Sequence, residues 1–182
     1  MEHFGFTPHL FVLKSRQQRL DRIDELFNKF GVRCITLTHF TRNDAATSSP
    51  WIGIHKNEGL SDFGKEIIEK MNEVGMIVDL AHVNNQGVLD ACKISKKPVV
   101  VTHSGLKYLN AHPRNISDEA LKAVAESDGV VGIIFATHYL SNNKKNPSSE
   151  IVLKHIDAIV QKVGEEHAAI GSDFDGWIPR IP

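Results

Sequence analysis

Five short apolar segments, separated by helical patterns, constrain the fold of this chain more than any other feature. They are rich in β-branched residues, show no alternation of polar and apolar side chains, and span residues 34–39 (CITLTH), 76–82 (MIVDLAH), 98–103 (PVVVTH), 129–135 (GVVGIIF) and 168–174 (AAIGSDF). Such runs are typical of parallel strands that are covered on both faces. The sequence therefore predicts an α/β fold with a parallel sheet.

Helical patterns with recognisable ends lie before and between the predicted strands. They are predicted over residues 15–30, 62–74, 118–127 and 150–163, the last three with a serine before the first turn and a glycine just after the end. Alternating strands and helices favour a (β/α)8, TIM-type barrel, which needs eight strands and typically ~250 residues. The 182 residues are therefore predicted to form a single domain that is part of such a barrel, with about five parallel strands and covering helices.

Composition excludes several classes of partner. The net charge is −1 with both signs interspersed, so a nucleic-acid partner is not expected. No apolar run approaches the roughly 18 residues of a membrane span, and the first residues lack the pattern of a secretory signal, so a cytoplasmic protein is expected. The two cysteines, Cys34 and Cys92, show no metal-binding spacing and are predicted to be reduced and structural.

Side chains that can carry chemistry stand at or near the carboxyl ends of the predicted strands. His39, His82, His103 and Asp173 each follow a different apolar run, and the carboxyl ends of parallel strands share one rim where active sites lie. His82 and His103 are 21 positions apart, one strand–helix–strand unit, so two imidazoles on neighbouring strands could share a cation. Histidine and carboxylate ligands indicate zinc, which favours hydrolysis. Asp79, inside its strand, is expected to orient or pack.

Other polar residues are predicted to be ordinary when each is considered alone. A single histidine that closes a strand is more often a satisfied polar residue than a ligand, and only the group of three makes a metal site credible. Arg114 alone is predicted to be a surface cation. His138 is predicted to be a loop residue without a role, and the remaining histidines, including His112 and His155, are predicted to lie at the surface or in loops.

Several stretches together resemble the zinc-dependent membrane (renal) dipeptidase family. They read GVRCITLTHF, GLSDFGKEIIEKMNEVGMIVDLAHV, KPVVVTHSGLKYLNAHPRNISDEAL, GVVGII and AIGSDFDG, and the likeness runs from about residue 19 to residue 176. The resemblance implies a (β/α)8 barrel that carries two bridged zinc ions. It also implies a hydrolase that cleaves the peptide bond of dipeptides with a metal-activated water.

Roles for individual residues follow from the same resemblance. His82 and His103 are similar to the two histidine ligands of one zinc. His39 is similar to the residue that approaches the substrate and the tetrahedral intermediate. Arg114 is similar to the residue that binds the C-terminal carboxylate of the dipeptide, and Asp173 to the acid/base that also receives the substrate's amino group.

The chain also departs from the family pattern. The H-x-D pair of the first strand and the bridging glutamate have no counterpart here, residues 1–14 diverge, and the family pattern continues beyond residue 182. The resemblance thus implies a truncated member that retains the central part of a metallo-dependent hydrolase barrel, with an incomplete metal site. Two alternatives stay open: a non-catalytic, self-associating remnant that forms a homo-oligomer, and a different metal hydrolase that acts on a lactone or cyclic amide.

Overall fold

The computed structural model describes residues 15–49, 58–142 and 148–176 of the chain. Five strands form one sheet: β1 (Cys34–Thr36), β2 (Ile77–Asp79), β3 (Val99–Ser104), β4 (Val130–Ile133) and β5 (Ala168–Ile170). Six α-helices accompany them: α1 (Arg16–Asn28), α2 (Asp62–Val74), α3 (Asn85–Ile94), α4 (Asp118–Glu126), α5 (Thr137–Leu140) and α6 (Ser149–Val163). The predicted divergent segment 1–14 lies outside the described residues.

The sheet is parallel throughout, and its strands occur in the order of the sequence, β1-β2-β3-β4-β5. The main helices follow the same order, since α1 contacts α2, α2 contacts α3, α3 contacts α4 and α4 contacts α6. A doubly wound sheet would reverse its strand order at a switch point. Consecutive strands with a consecutive outer layer of helices are instead the wall of a (β/α)8 barrel, so the predicted partial barrel is confirmed.

The predicted helix ends are confirmed because capping is a local interaction. The Ser61, Ser117 and Ser148 side chains each accept a hydrogen bond from a backbone N–H in the first turn of α2, α4 and α6. Gly75 ends α2 in the left-handed conformation, with φ of 81°. Each helix turns an apolar face toward a shared core, in which Ile68, for example, is fully buried.

The predicted strands are too long at their carboxyl ends. β1, β2 and β5 end at Thr36, Asp79 and Ile170, each three residues before the predicted end or the candidate site residue. His82 and Asp173 have left-handed backbones, with φ of 66° and 57°, which no strand accommodates. The candidate residues therefore lie in the turns that follow the strands, except for His103, which lies within β3.

Both cysteines are structural in the part of the chain that is described. Cys34 lies in β1 and Cys92 in α3, and neither forms a disulfide. Burial raises the pKa of each thiol to about 12, so the reactive thiolate is scarce at neutral pH. None of the described helices is long and apolar enough to cross a membrane.

Candidate metal and substrate site

His82 and His103 meet at the carboxyl rim of neighbouring strands. Their Nε2 atoms are 2.9 Å apart, and both side chains are buried. Burial, followed by the charge of Arg114, holds the pKa of His82 well below its ordinary value. The imidazole of His82 is therefore neutral at pH 7, which is the form that binds a metal.

Asp79, at the end of β2, accepts hydrogen bonds from residues next to this pair. Oδ2 accepts from the hydroxyls of Thr36 at 2.6 Å and Thr102 at 2.8 Å. Oδ1 accepts from the backbone N–H groups of Ala81 and Thr102, both at 3.0 Å. The carboxylate thus connects β1, β2 and β3 and has no exposed surface. These contacts agree with the prediction that Asp79 orients its neighbours.

His39 extends the site toward solvent. Its ring centroid is 4.6 Å from that of His82, and the tilted ring of Phe40 contacts both, at 4.0 Å from His39 and 5.3 Å from His82. Partial desolvation, followed by the charge of Arg114, lowers the pKa of His39. The structure therefore brings His39, His82 and His103 together, with His39 as the exposed member of the three.

The prediction that Arg114, considered alone, is a surface cation is wrong, because only 5% of the residue is exposed. Nη2 donates to the carbonyl of His103 at 3.1 Å, and the buried Nε has no hydrogen-bond partner among the described residues. Burial lowers the pKa of the guanidinium to about 10, so it remains charged at neutral pH. The loop from Gly105 to Ile116 closes at its base, where the Ile116 N–H donates to the Gly105 carbonyl at 2.9 Å. It turns back on β3, because the Ser104 hydroxyl donates to the Arg114 carbonyl at 3.2 Å, and this turn brings Arg114 to the backbone of His103.

Asp173 and Tyr139 complete the surroundings of Arg114. Burial lowers the pKa of Arg114, and the charges of Tyr139, Asp79 and Asp173 oppose that effect in part. Burial is the largest cause of the raised pKa of Tyr139. Tyr139 also stacks on His112, with ring centroids 4.6 Å apart. His138 lies in the short helix α5 rather than in a loop.

His155, predicted to lie at the surface or in a loop, is instead fully buried on α6. Its Nδ1 accepts from the N–H of Leu106 at 3.0 Å, and its Nε2 faces the carbonyl of Leu140 at 3.1 Å. Its position was readable from the sequence, since Val152, His155 and Ile159 share one helical face. His155 therefore joins the loop that carries Arg114 to the helix that carries Tyr139.

The histidine pair fits a metal ion as two of its ligands. Two nitrogens on one tetrahedral zinc lie about 3.3 Å apart for Zn–N distances of about 2.05 Å, and the observed separation is 2.9 Å. A group of three or more His, Cys, Asp or Glu side chains that could hold a metal does not occur in residues 15–49, 58–142 and 148–176. These residues thus supply two ligands of a site that requires at least one more.

Curated proteins similar to this chain are dipeptidases by name. Dipeptidase tcpJ of Claviceps purpurea is 35% identical over 159 residues, which are 86% of this chain and 36% of that protein. An uncharacterized dipeptidase of Schizosaccharomyces pombe is 38% identical over 160 residues, 86% of this chain and 38% of its own length. The chain therefore spans little more than a third of the relatives that it matches.

Solved structures with a similar fold also match this chain. An amidohydrolase from Pseudomonas aeruginosa matches with a TM-score of 0.80 and 31% identity, over 97% of this chain and 51% of that chain. A metallo peptidase from Rhodobacter sphaeroides, liganded with a phosphinate mimic of the dipeptide L-Ala-D-Ala, matches with a TM-score of 0.77 and 32% identity, over 86% of this chain and 46% of that chain.

The family comparison covers nearly the whole sequence. The sequence model described as "Membrane dipeptidase (Peptidase family M19)" matches residues 13–182, which include each of the strands and the histidine pair. The solved structures that match include one described as a metallo peptidase. With the buried arginine and the paired histidines on the rim of a barrel wall, the match identifies the chain as a member of the membrane dipeptidase family, Peptidase family M19.

Proposed function

We propose that this chain carries the central part of a zinc dipeptidase site, which hydrolyses dipeptides that have a free C-terminal carboxylate. One observation supports it above the others: a buried arginine, whose Nε has no hydrogen-bond partner among the described residues, donates to the backbone of His103, and Nε2 of His103 lies 2.9 Å from Nε2 of His82. This arrangement suits a dipeptide, in which the C-terminal carboxylate lies close to the peptide carbonyl. The cation would bind the carboxylate while a metal on the two histidines would bind the carbonyl.

Arg114 would bind the substrate carboxylate. Its guanidinium stays charged although it is buried, and its planar donors suit two parallel hydrogen bonds to a carboxylate. The hydrogen bond to the His103 carbonyl fixes the side chain before substrate arrives. The substrate would therefore not have to order a flexible cation, and more of the binding free energy would be retained.

His39 and Asp173 would handle charge and protons at the reacting bond. The lowered pKa of His39 leaves its imidazole neutral at pH 7, so its N–H can donate to an oxygen that becomes negative. Asp173, close enough to influence Arg114, would accept the amino group of the substrate and transfer a proton to the leaving amine. Both residues follow strand ends, so they approach the substrate from the rim.

His82 and His103 would hold zinc through their Nε2 atoms, with further ligands from outside the described residues. A bound zinc ion supplies Lewis acidity, which activates water and polarises a carbonyl. Both histidines are rigid, because His103 lies within β3 and His82 is packed between His39 and His103.

Replacing Arg114 with methionine tests the substrate class. We expect kcat/KM for a dipeptide in the presence of zinc to fall about 100-fold or more, because a charge-assisted bidentate contact is lost. The rate of amine release from the corresponding dipeptide amide, which has no carboxylate, should change little. The measurement compares both substrates for the wild-type and variant chains, and elemental analysis gives the zinc content of each.

Lys107→Met is the matched control, since Lys107 is an exposed cation in the same loop and its loss should leave both rates unchanged. Equal losses of activity toward the dipeptide and its amide in Arg114→Met would rule out carboxylate binding by Arg114. A wild-type chain that contains zinc but releases no amine from any dipeptide would exclude dipeptide hydrolysis by this chain.

Self-association is a second candidate function, because one side of β5 is open. Within the described residues β5 pairs only with β4, and Ile170 at its end is 70% exposed. An unpaired, apolar strand edge favours pairing with another chain. We expect sedimentation at micromolar concentration to show a dimer that Ile170→Lys dissociates, while Leu153→Lys, at an exposed apolar position on α6, leaves it intact. A monomeric wild-type chain would contradict this candidate.

A further inference from the structure

The hydrogen bonds around Thr102 determine which nitrogen of His103 carries the proton. The Thr102 hydroxyl lies 2.8 Å from Oδ2 of Asp79 and 3.0 Å from Nδ1 of His103. A hydroxyl has one proton to donate, and an ionised carboxylate can only accept. The 2.8 Å contact with Oδ2 of Asp79 is therefore a hydrogen bond that the Thr102 hydroxyl donates. The hydroxyl oxygen must then accept from Nδ1–H of His103.

The tautomer that results has its lone pair on Nε2 of His103. That nitrogen is the one that faces Nε2 of His82 at 2.9 Å, so the nitrogen available as a metal ligand points into the candidate site. In many metal sites a carboxylate receives the second N–H of a ligating histidine directly. Here the hydroxyl of Thr102 stands between the carboxylate and the ring.

Thr102 is held in place on both sides of its backbone. Its N–H donates to Oδ1 of Asp79 at 3.0 Å. Its carbonyl oxygen packs against two glycines, because a Cβ would lie 2.2 Å from that oxygen at Gly132 and 1.8 Å from it at Gly171. These positions admit no side chain without a shift of the backbone. The backbone of Thr102 is therefore held in a position from which its hydroxyl contacts both Asp79 and His103.

We propose that Thr102 is a positioning residue, whose hydroxyl connects the Asp79 carboxylate to His103 and holds His103 in the Nδ1–H tautomer, so that its unprotonated Nε2 faces Nε2 of His82. This proposal rests on the proposed function only for the identity of what binds at Nε2. The tautomer is a property of the chain itself, and it is measurable without metal or substrate.

The test is a nitrogen-15 NMR measurement of the histidine tautomers in the metal-free chain at one fixed pH near 7.5, with His103 assigned through its loss in His103→Gln. The wild-type chain is expected to show His103 with its proton on Nδ1. Thr102→Val, which exchanges the hydroxyl for a methyl group in a β-branched side chain, should shift His103 toward the Nε2–H form. Thr102→Ser should retain the wild-type spectrum.

Thr36→Val is the matched control. It removes the other hydroxyl on the same Asp79 oxygen, from a residue whose hydroxyl is bonded to that carboxylate rather than to a histidine, so His103 should keep its tautomer. Titration with zinc gives a second readout: Thr102→Val should weaken zinc binding about 10–100-fold, and Thr36→Val much less.

A wild-type His103 with its proton on Nε2 would overturn the proposal without any variant, even if Thr102→Val failed to fold. An unchanged tautomer in folded Thr102→Val, or an equal shift in Thr36→Val, would overturn it as well. If the tautomers behave as expected but the chain neither binds zinc nor hydrolyses dipeptides, the proposed function fails and the role of Thr102 stands.

Discussion

Replacing His155 with leucine is expected to lower the free energy of unfolding by about 2–4 kcal/mol. The substitution leaves the Leu106 N–H and the Leu140 carbonyl, which His155 now bridges at 3.0 and 3.1 Å, buried without a partner. An unsatisfied buried polar group costs about 1–3 kcal/mol, and the gain from a larger apolar side chain offsets part of that cost. Chemical denaturation at pH 7.5 measures the difference.

Lys154→Ala is the control, since Lys154 is exposed on the same helix and should change stability by less than about 0.5 kcal/mol. Loss of the His155 bridge should also loosen the loop before Arg114, and faster amide exchange of that loop than of β4 would show it. Equal stability of His155→Leu and the wild-type chain would mean that water or a shifted backbone satisfies both groups.

The contribution of His155 should also depend on pH. Burial lowers the pKa of His155 in the folded chain, whereas the unfolded chain titrates near 6.5. The stability due to the neutral ring is therefore complete above about pH 6.5 and decreases as the pH falls below it, because the unfolded state binds the proton first. The stability difference between the wild-type chain and His155→Leu should accordingly shrink from pH 7.5 to pH 5.

Substitution of Asp79 should have the largest effect on stability, about 3–5 kcal/mol for Asp79→Leu. Four donors, from β1, from β3 and from the turn after β2, lose their acceptor, and the interior offers no replacement because Asp79 has no exposed surface. Asp79→Asn keeps one acceptor oxygen of similar shape and should cost less, about 1–3 kcal/mol. Thermal or urea unfolding of the three chains gives the order.

Asp157→Leu is the control for this series, since it removes an exposed carboxylate on α6 and should be nearly neutral. If Asp79→Leu were as stable as the wild-type chain, the hydrogen bonds around Asp79 would position Thr36 and Thr102 without contributing to the free energy of unfolding. If Asp79→Asn were the less stable of the two, the negative charge would matter more than the number of hydrogen bonds.

Sequence patterns predicted what depends on neighbouring residues. Five strands and the ends of α2, α4 and α6 follow from apolar runs and from serine caps, which are read within a few positions of the chain. The ends of the strands could not be read that way. β2 ends early because the Asp79 side chain accepts from the Ala81 N–H and because His82 adopts a left-handed backbone. Neither feature can be predicted from a run of apolar residues.

The candidate site divides along the same line. His39, His82, His103 and Asp173 could be grouped from the sequence because parallel strands end on one rim. The burial of Arg114 depends on a loop that turns back on β3, so its own sequence gave no sign of it, and only the family resemblance assigned it a role. Thr102 and His103 are adjacent in the sequence, but the hydrogen bond from Thr102 to Asp79 joins two strands, so strand register determines that contact.

The left-handed backbone at His82 and Asp173 sets thermodynamic stability against the proposed function at two positions. A non-glycine residue in that conformation costs about 1–2 kcal/mol, and glycine at either position would recover part of it while removing an imidazole or a carboxylate from the rim. A descendant selected only for stability would gain from that exchange, and one selected for the proposed function would lose. Directed evolution for thermal stability alone should therefore drift toward glycine at these two positions.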